Sequence, residues 1–201
     1  MKILVERGWG EIFANFTRQA LLTKLDVWRP VAFAIGASSN IVTAGDNVIE
    51  DSVELASKLS SYHFDIQSDG NFYSFTKTVN ILNINDLNTD KISVLNNDNA
   101  EILHTVSQEV TVSIYFRKAS GTHLLDDNQA FLHREGISND NIVVFNTRHT
   151  DIISVKIKVD NEDLHNDCIN FEVQHYNSAI TEEAILKDCF RKIVDVFGKF
   201  V

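Results

Sequence analysis

The sequence predicts an α+β fold in which a β-rich middle lies between two ends that each carry a helix. Apolar residues recur at the helical period in residues 11–25 and again after Thr181. Between these helices, several runs alternate apolar and polar residues, which is typical of strands with one buried face. The 201 residues, 44% of them hydrophobic, are enough for one domain or two small lobes.

The predicted elements of the first sixty residues alternate between strand and helix. In chain order they are a strand at residues 2–6, a helix at 11–25, a strand at 31–35, a turn at 38–40, a returning strand at 41–43 and a short helix capped by Asp51 or Ser52. Pro30 separates the first helix from the second strand, because proline cannot continue a helix.

The rest of the chain is predicted to be mostly strands, followed by one long helix. The strands are at residues 62–66 and 71–84, joined as a hairpin at 68–70, then at 110–116, and as a second hairpin at 152–159 and 169–176. Residues 85–99 are polar and predict a loop. Thr181 caps the last helix, and Gly198 is its predicted end.

The last helix is apolar on more than one side. One stripe holds Leu186, Phe190, Ile193, Phe197 and Phe200, and a second apolar strip beside it holds Ile185, Cys189 and Val196. Such a helix needs two covers. The second apolar side is buried either by another subunit or by the chain's own core, and periodicity does not distinguish between these two arrangements.

Composition excludes several classes of function. The formal net charge of −10 opposes non-specific binding to nucleic acid. We expect a soluble, intracellular protein, cytoplasmic or packaged in a virion, because no apolar run is long enough to span a membrane and the N-terminus does not resemble a signal peptide. Two cysteines without C-x-x-C spacing predict neither a disulfide framework nor a zinc ribbon.

No group of residues in the sequence predicts an active site. Gly8-Trp9-Gly10 between a strand and a helix is a weak match to a phosphate cradle, and Glu11 opposes an anion there. The seven histidines are scattered without metal-ligand spacing, and Cys189 is expected to be buried and inert. We therefore expect no catalytic residues, no metal and no cofactor.

Two helix motifs resemble the alpha-like subunits of multisubunit DNA-directed RNA polymerases. Residues 14–22, Ala-Asn-Phe-Thr-Arg-Gln-Ala-Leu-Leu, resemble the family's Ala-Asn-x-x-Arg-Arg-x-Leu-Leu helix. After two strand-like runs, residues 54–60, Glu-Leu-Ala-Ser-Lys-Leu-Ser, are similar to its Leu-Ala-His-Arg-Leu-Gly signature. The last predicted strand, at residues 169–176, and the helix after Thr181 follow each other as do the family's last strand and dimerisation helix. Gln19, Ser57, Lys58, Ser60 and His63 depart from the family pattern, which favours a divergent member of the kind a virus or plasmid would carry.

The resemblance implies a discontinuous domain and a role in assembly. Residues 1–60 and 150–201 would form a dimerisation domain of a sheet and two helices, with residues 61–149 as an inserted β-rich lobe. In this family the first and last helices of two related chains pack together, and the dimer is a platform for the two large catalytic subunits. The partner is an identical or a paralogous alpha-like chain, with little or no direct contact to nucleic acid or membrane.

The resemblance also assigns interface residues. It places Asn15, Arg18, Gln19 and Lys58 at the interface with a large subunit, and Arg18 is the strongest candidate because a guanidinium pairs well with carboxylates and carbonyls. The dimer interface is expected to include seven apolar side chains, namely Phe13, Phe16, Leu21, Leu186, Phe190, Ile193 and Phe197.

Two other classes remain open on the sequence. A structural or adaptor protein without enzymatic role, for example a virion component, is equally compatible with the acidity, the Asn-rich loops and the absence of an active site. A small hydrolase or ligand-binding enzyme has no residues that argue for it. The paired helix motifs favour the polymerase subunit over both.

Overall fold

The computed structural model describes residues 1–36, 48–106, 108–137, 141–160 and 164–199. In chain order the first elements are β1 (Lys2–Glu6), α1 (Gly10–Thr23), β2 (Val27–Ile35), α2 (Ser52–Ser61), β3 (Phe64–Ile66), β4 (Phe72–Val79) and β5 (Ile81–Asn83). After a 3-10 helix at Ile84–Leu87 they are β6 (Ile92–Val94), β7 (Glu101–His104), β8 (Val110–Ala119), β9 (Gly121–His123) and α3 (Leu125–Arg134). The last are β10 (Ile142–Val144), β11 (Thr147–His149), β12 (Ile152–Asp160), β13 (Asn166–His175) and α4 (Glu182–Phe197).

Helices and antiparallel strands are mixed along the chain, which confirms the α+β class. The chain divides into two compact units. The terminal unit holds Met1–Asp26 and the segment from Thr150 onward, and the inserted unit holds Val27–His149. The first boundary therefore lies at residue 26 and not near residue 60, because β2 is hydrogen-bonded to β8 and β3 of the inserted unit.

The terminal unit is a three-stranded antiparallel sheet in the order β1-β13-β12, with α1 and α4 packed on it. The predicted hairpin of β12 and β13 is confirmed by their register, in which Ile157 lies opposite Phe171. Alternate strand residues such as Ile169 and Phe171 meet Ala14 and Leu21 of α1 in one buried core. Thr181 caps α4 as predicted, since its hydroxyl accepts a hydrogen bond from the Ala184 amide.

The inserted unit is built on a sheet in the order β4-β8-β2-β3-β6, with β10 also paired to β2. Its largest core includes Phe33, Phe64 and Phe116, and Phe64 and Phe116 form an edge-to-face pair at 5.0 Å. The proline of β2 lies where the register with β8 shifts, which fits a residue that has no amide hydrogen for the ladder. Arg29 of β2 is buried and donates to the carbonyls of Ser60 and Tyr62 at the end of α2.

Several sequence predictions need correction or lie outside the described residues. β3 and β4 do not form a hairpin, because β8 and β2 lie between them in the sheet. The segment 85–99 contains β6 in addition to loop. Helix α3, with Asp126 and Asp127 in its first turn, was not predicted. The turn at 38–40 and the strand at 41–43 fall outside the described residues, as does Phe200.

Candidate protein-interaction site

Helix α1 is fixed in place by a carboxylate from β13. The Oδ2 atom of Asp167, a buried residue, accepts hydrogen bonds from the amides of Gly8 at 2.7 Å and Gly10 at 2.9 Å. A side chain at Gly10 would have its Cβ 2.7 Å from both Asp167 Cβ and Val159 Cγ1, so only glycine fits there. The amides of Gly8 and Gly10 are thus satisfied by the chain's own carboxylate, which occupies the position that an anion would take at Gly8-Trp9-Gly10.

The motif residues Asn15, Arg18 and Gln19 are exposed on α1. Asn15 and Arg18 line a groove of about 350 Å³ between α1 and β12. The groove is also lined by Glu11, Ala14, Ile157 and Val159. Within the described ranges, Glu11, Asn15 and Arg18 have no side-chain hydrogen bond or ion pair, so their polar groups are available to a partner.

Gln19 lies beside a second, smaller depression. This cleft of about 110 Å³ lies between α1 and α4 and is lined mainly by apolar groups, with Phe16 and Ala20 from α1 and Ile193 and Val196 from α4. Lys192 lies at the cleft and is held by Asp26, with its Nζ atom 2.6 Å from Oδ2. The sequence placed Gln19 with Asn15 and Arg18, but the structure places it on the side of α1 that faces α4.

Two pairs of aromatic rings join α1 and α4. The ring centroids of Phe13 and Phe190 are 5.6 Å apart, and those of Phe16 and Phe197 are 5.3 Å apart. The two pairs differ in burial, because Phe190 also contacts Phe171 of the core at 6.2 Å, whereas Phe16 and Phe197 are 40% and 53% exposed. Exposed aromatic side chains that lie side by side on two helices make this face a candidate protein-interaction surface.

Other exposed apolar side chains extend this surface. Trp9 and Ile12 at the start of α1 are 58% and 61% exposed, and Val194 and Val196 of α4 are exposed as well. We define the apolar helix surface as the exposed or half-buried side chains of Trp9, Ile12, Phe13, Phe16, Phe190, Ile193, Val194, Val196 and Phe197. Trp9, Ile12 and Val194 were not among the predicted dimer residues. For the two residues at the start of α1, the many apolar positions of that helix were a signal that it is apolar on more than one face.

Two of the seven predicted dimer residues are not on this surface. Leu21 is 1% exposed and Leu186 is 0% exposed, and both belong to the core between the helices and the sheet. Their side chains hold α1 and α4 in the terminal unit and cannot contact a partner directly. The other five, Phe13, Phe16, Phe190, Ile193 and Phe197, lie on the apolar helix surface.

Lys58, the fourth predicted large-subunit contact, lies on α2 in the inserted unit. Its Nζ atom is 2.9 Å from Glu54 and 3.5 Å from the buried carboxylate of Glu50. Burial would lower the pKa of Lys58, but these two carboxylates outweigh it and raise the pKa above its ordinary value. Lys58 thus already has charge partners within its own unit.

Glu50 is the centre of a charged cluster that the sequence did not reveal. It accepts hydrogen bonds from the amide of His104 at 2.8 Å and contacts the Nδ1 atom of that ring at 2.7 Å, while Nε2 contacts Glu101 at 2.6 Å. The hydrogen bond to Glu50, and then that to Glu101, raises the pKa of His104. Burial would raise the pKa of Glu50, but the hydrogen bonds from His104 lower it overall.

This cluster predicts a pH-dependent stability. Because the folded pKa of His104 is raised above about 6.5, its contribution is fully present below that pH and is lost as pH rises through the folded value. His104→Gln should therefore lower the free energy of unfolding more at pH 6 than at pH 9 in urea titrations. His133→Gln, an exposed histidine of α3, is the control and should change stability little at either pH. An equal loss for His104→Gln at both values would contradict the prediction.

Two buried side chains, Cys189 and His149, have strongly shifted pKa values. Burial raises the pKa of the Cys189 thiol to about 11, as expected for an inert cysteine. Burial lowers the pKa of His149 to about 4, and its Nδ1 atom contacts the carbonyl of Val27 at 3.2 Å. Among the residues that the structure describes, no group of three or more histidine, cysteine or acidic side chains is placed to hold a metal.

No helix in the described ranges has the length and apolar character needed to cross a bilayer. Comparison with known proteins adds no identification: no protein-family model matches the sequence, and no curated protein sequence matches it. Function is therefore inferred from the motifs and from the geometry of α1 and α4.

Proposed function

We propose that the chain is a non-catalytic assembly subunit of a multisubunit DNA-directed RNA polymerase. In this proposal it dimerises with an alpha-like partner, identical or paralogous, and docks the large catalytic subunits for transcription. The observation that carries the proposal is the arrangement of α1. This helix presents exposed aromatic side chains beside α4, and it presents Asn15 and Arg18, which are unpaired within the described ranges, in the groove beside β12. One helix thus offers two separate protein-binding surfaces.

The dimer contact of the proposal is the apolar helix surface. Exposed Phe16 and Phe197, together with Trp9 and Ile12, leave apolar area in water that a partner would cover. A dimer interface of about 2,000 Å² at about 25 cal/mol per Å² of apolar area supplies ample free energy before the entropy cost of association is subtracted. A helix pair from a second, related chain is the partner that the resemblance implies.

The organisation of the chain also supports the proposal. A family member is expected to have one unit made from both ends of the chain and a second unit inserted between them. The terminal unit has this composition, with a sheet, α1 and α4, and the inserted unit is rich in strands. In this organisation α1 and α4, which come from opposite ends of the chain, lie together on one sheet.

Docking of a large subunit is assigned to Arg18, with Asn15 beside it. An exposed guanidinium without an internal partner can form two parallel hydrogen bonds to a carboxylate of another chain. Gln19 and Lys58 have weaker support, because Gln19 lies beside the α1–α4 cleft and Lys58 is paired with Glu54 and Glu50.

Arg18→Glu tests this proposal. The variant should remain dimeric and lose capture of the large subunit in a pull-down from the native source, because the reversed charge repels the carboxylate it should bind. Arg191→Glu is the matched control, since Arg191 is also exposed, lies on α4 of the same unit and does not line either cavity. Equal capture by wild type and Arg18→Glu would contradict the assignment of Arg18.

A further inference from the structure

The strand β12 is an edge strand with unpaired backbone groups next to the groove. Within the described residues β12 pairs with β13 alone. The Phe171 amide of β13 donates to the carbonyl of Met1, on the β1 side of the sheet. Because the direction alternates along an antiparallel strand, the β12 residue opposite Phe171, Ile157, directs its own amide and carbonyl away from the sheet. Val155 and Val159 do the same.

The groove lies alongside this edge. Ile157 and Val159 line it from β12, and Ala14, Asn15 and Arg18 line it from α1, leaving about 350 Å³ of open space. Both β12 side chains are half-buried, so the groove has an apolar floor next to unpaired backbone groups. An exposed strand edge with side-chain pockets beside it is the arrangement that binds extended peptides by strand addition.

We infer that this groove receives an extended, acidic segment of a protein partner, which adds to β12 as a further antiparallel or parallel strand. The inference rests on the proposed function, in which that partner is the large subunit that docks at Arg18. Main-chain hydrogen bonds to Val155, Ile157 and Val159 hold the segment, and one of its carboxylates pairs with the guanidinium of Arg18. The partner thus binds by its backbone and is selected by its charge.

Charge complementarity favours an acidic occupant over other segments. Arg18 faces the groove without a partner among the described residues, and Lys156 and Lys158 project from β12 with side chains that are 68% and 77% exposed. Both lysines have acidic neighbours, but exposed ion pairs of this kind hold their partners weakly. Lysines along an edge strand also repel basic strands, and burying their charge under an apolar strand is unfavourable, so both kinds of segment are disfavoured at this edge.

The groove also fixes the order of charges along the segment. Glu11 lies at one end and Arg18 at the other, seven residues along α1, which corresponds to roughly 10 Å of helix. An extended chain covers this distance in about three residues. The segment should therefore place its acidic residue at the Arg18 end and a neutral or basic residue about three positions away, opposite Glu11.

Amide hydrogen exchange at single-residue resolution tests the inference on the complex purified from its native source. In the free chain, the amides of Val155, Ile157 and Val159 should exchange fast, while those of Lys156 and Lys158 are protected by β13. In the complex, the first three should slow at least tenfold and the other two should not change. This alternating pattern is specific to strand addition, because contact through side chains alone would not follow the direction of the amides.

A pair of proline variants provides the second readout. Ile157→Pro removes an outward amide from β12 and should weaken capture of the partner at least tenfold without breaking the ladder to β13. Leu4→Pro is the control, because Leu4 lies opposite Cys168 on β1 and its amide faces outward from the opposite edge of the same sheet. Circular dichroism of both variants checks that the fold is retained.

The possible results separate this inference from the proposed function. Slowed exchange at the three outward amides, with capture lost in Ile157→Pro alone, supports it. A complex that contains the large subunits but shows unchanged exchange at these amides overturns the inference and leaves the proposed function standing. Absence of any large subunit, together with unchanged exchange at these amides, overturns both. Slowed exchange in a complex with other proteins supports strand addition and contradicts the polymerase assignment.

Discussion

Phe197→Asp is expected to dissociate the proposed dimer while leaving the fold of each chain almost unchanged. Phe197 is 53% exposed and packs against Phe16, so in a single chain its replacement should change the free energy of unfolding by less than about 1 kcal/mol. In the dimer the same position would be covered, and a carboxylate buried there without a partner is strongly unfavourable. We expect the dissociation constant to rise at least about 100-fold, which corresponds to about 2.7 kcal/mol.

Analytical ultracentrifugation over a range of concentrations measures this effect. Ile153→Asp is a matched control, because Ile153 is also 53% exposed but lies on β12 and not on the helices. The control should remain a dimer at concentrations where Phe197→Asp is a monomer. If Phe197→Asp keeps the wild-type dimer mass, the apolar helix surface is not the dimer contact.

Gly10→Ala is expected to lower the free energy of unfolding by about 3 kcal/mol. The added Cβ would overlap Asp167 and Val159, and overpacking of this kind costs about 1–3 kcal/mol. Moving Asp167 also weakens its two hydrogen bonds to the start of α1, and loss of a helix cap costs about 1 kcal/mol. Both effects act at the junction of α1, β12 and β13.

Urea unfolding measures this loss, with Gly8→Ala as the comparison. Gly8 has a φ of +93° and nothing within 4 Å of an added Cβ, so its substitution should cost only the backbone strain, about 1 kcal/mol. A loss for Gly10→Ala no larger than that for Gly8→Ala would show that Asp167 and Val159 move aside easily, and the close packing of α1 on β12 and β13 would then not require glycine.

The elements that the sequence predicted well depend on local signals. The bounds of β1 and α4 follow from short-range periodicity, and the caps at Asp51 and Thr181 follow from single residues next to the helices they begin. The pairing of β2 with β8 could not be predicted, because its partners are about eighty residues apart in the chain and no local signal records them. The boundary of the inserted unit was misplaced for the same reason.

Helix α3 was missed because it has few apolar residues. Phe131 and Leu132 are buried against Val31 and Ala32, but the polar residues around them resemble a solvated loop. The helix is stabilised by the packing of these two side chains against β2. A polar helix of this kind depends on tertiary packing and leaves little trace in the sequence.

The candidate site was predicted in part. The sequence placed Asn15 and Arg18 on one helix, and the structure shows both in a single groove. Periodicity could not separate the buried Leu21 and Leu186 from the exposed Phe16 and Phe197, because all four belong to helices that are apolar on more than one side. The role of Asp167 was hidden as well, since it contacts Gly8 and Gly10 from a strand that lies more than 150 residues further along the chain.

The most direct test of the proposed function is affinity purification of the tagged protein from its native source at low salt, followed by mass spectrometry of the chains that co-elute. We expect an alpha-like partner and two very large chains, one of which carries an aspartate-rich loop that binds Mg²⁺. Recovery of capsid or adaptor proteins alone would instead favour a structural role. That result, or recovery of the chain alone as a monomer, would contradict the proposal.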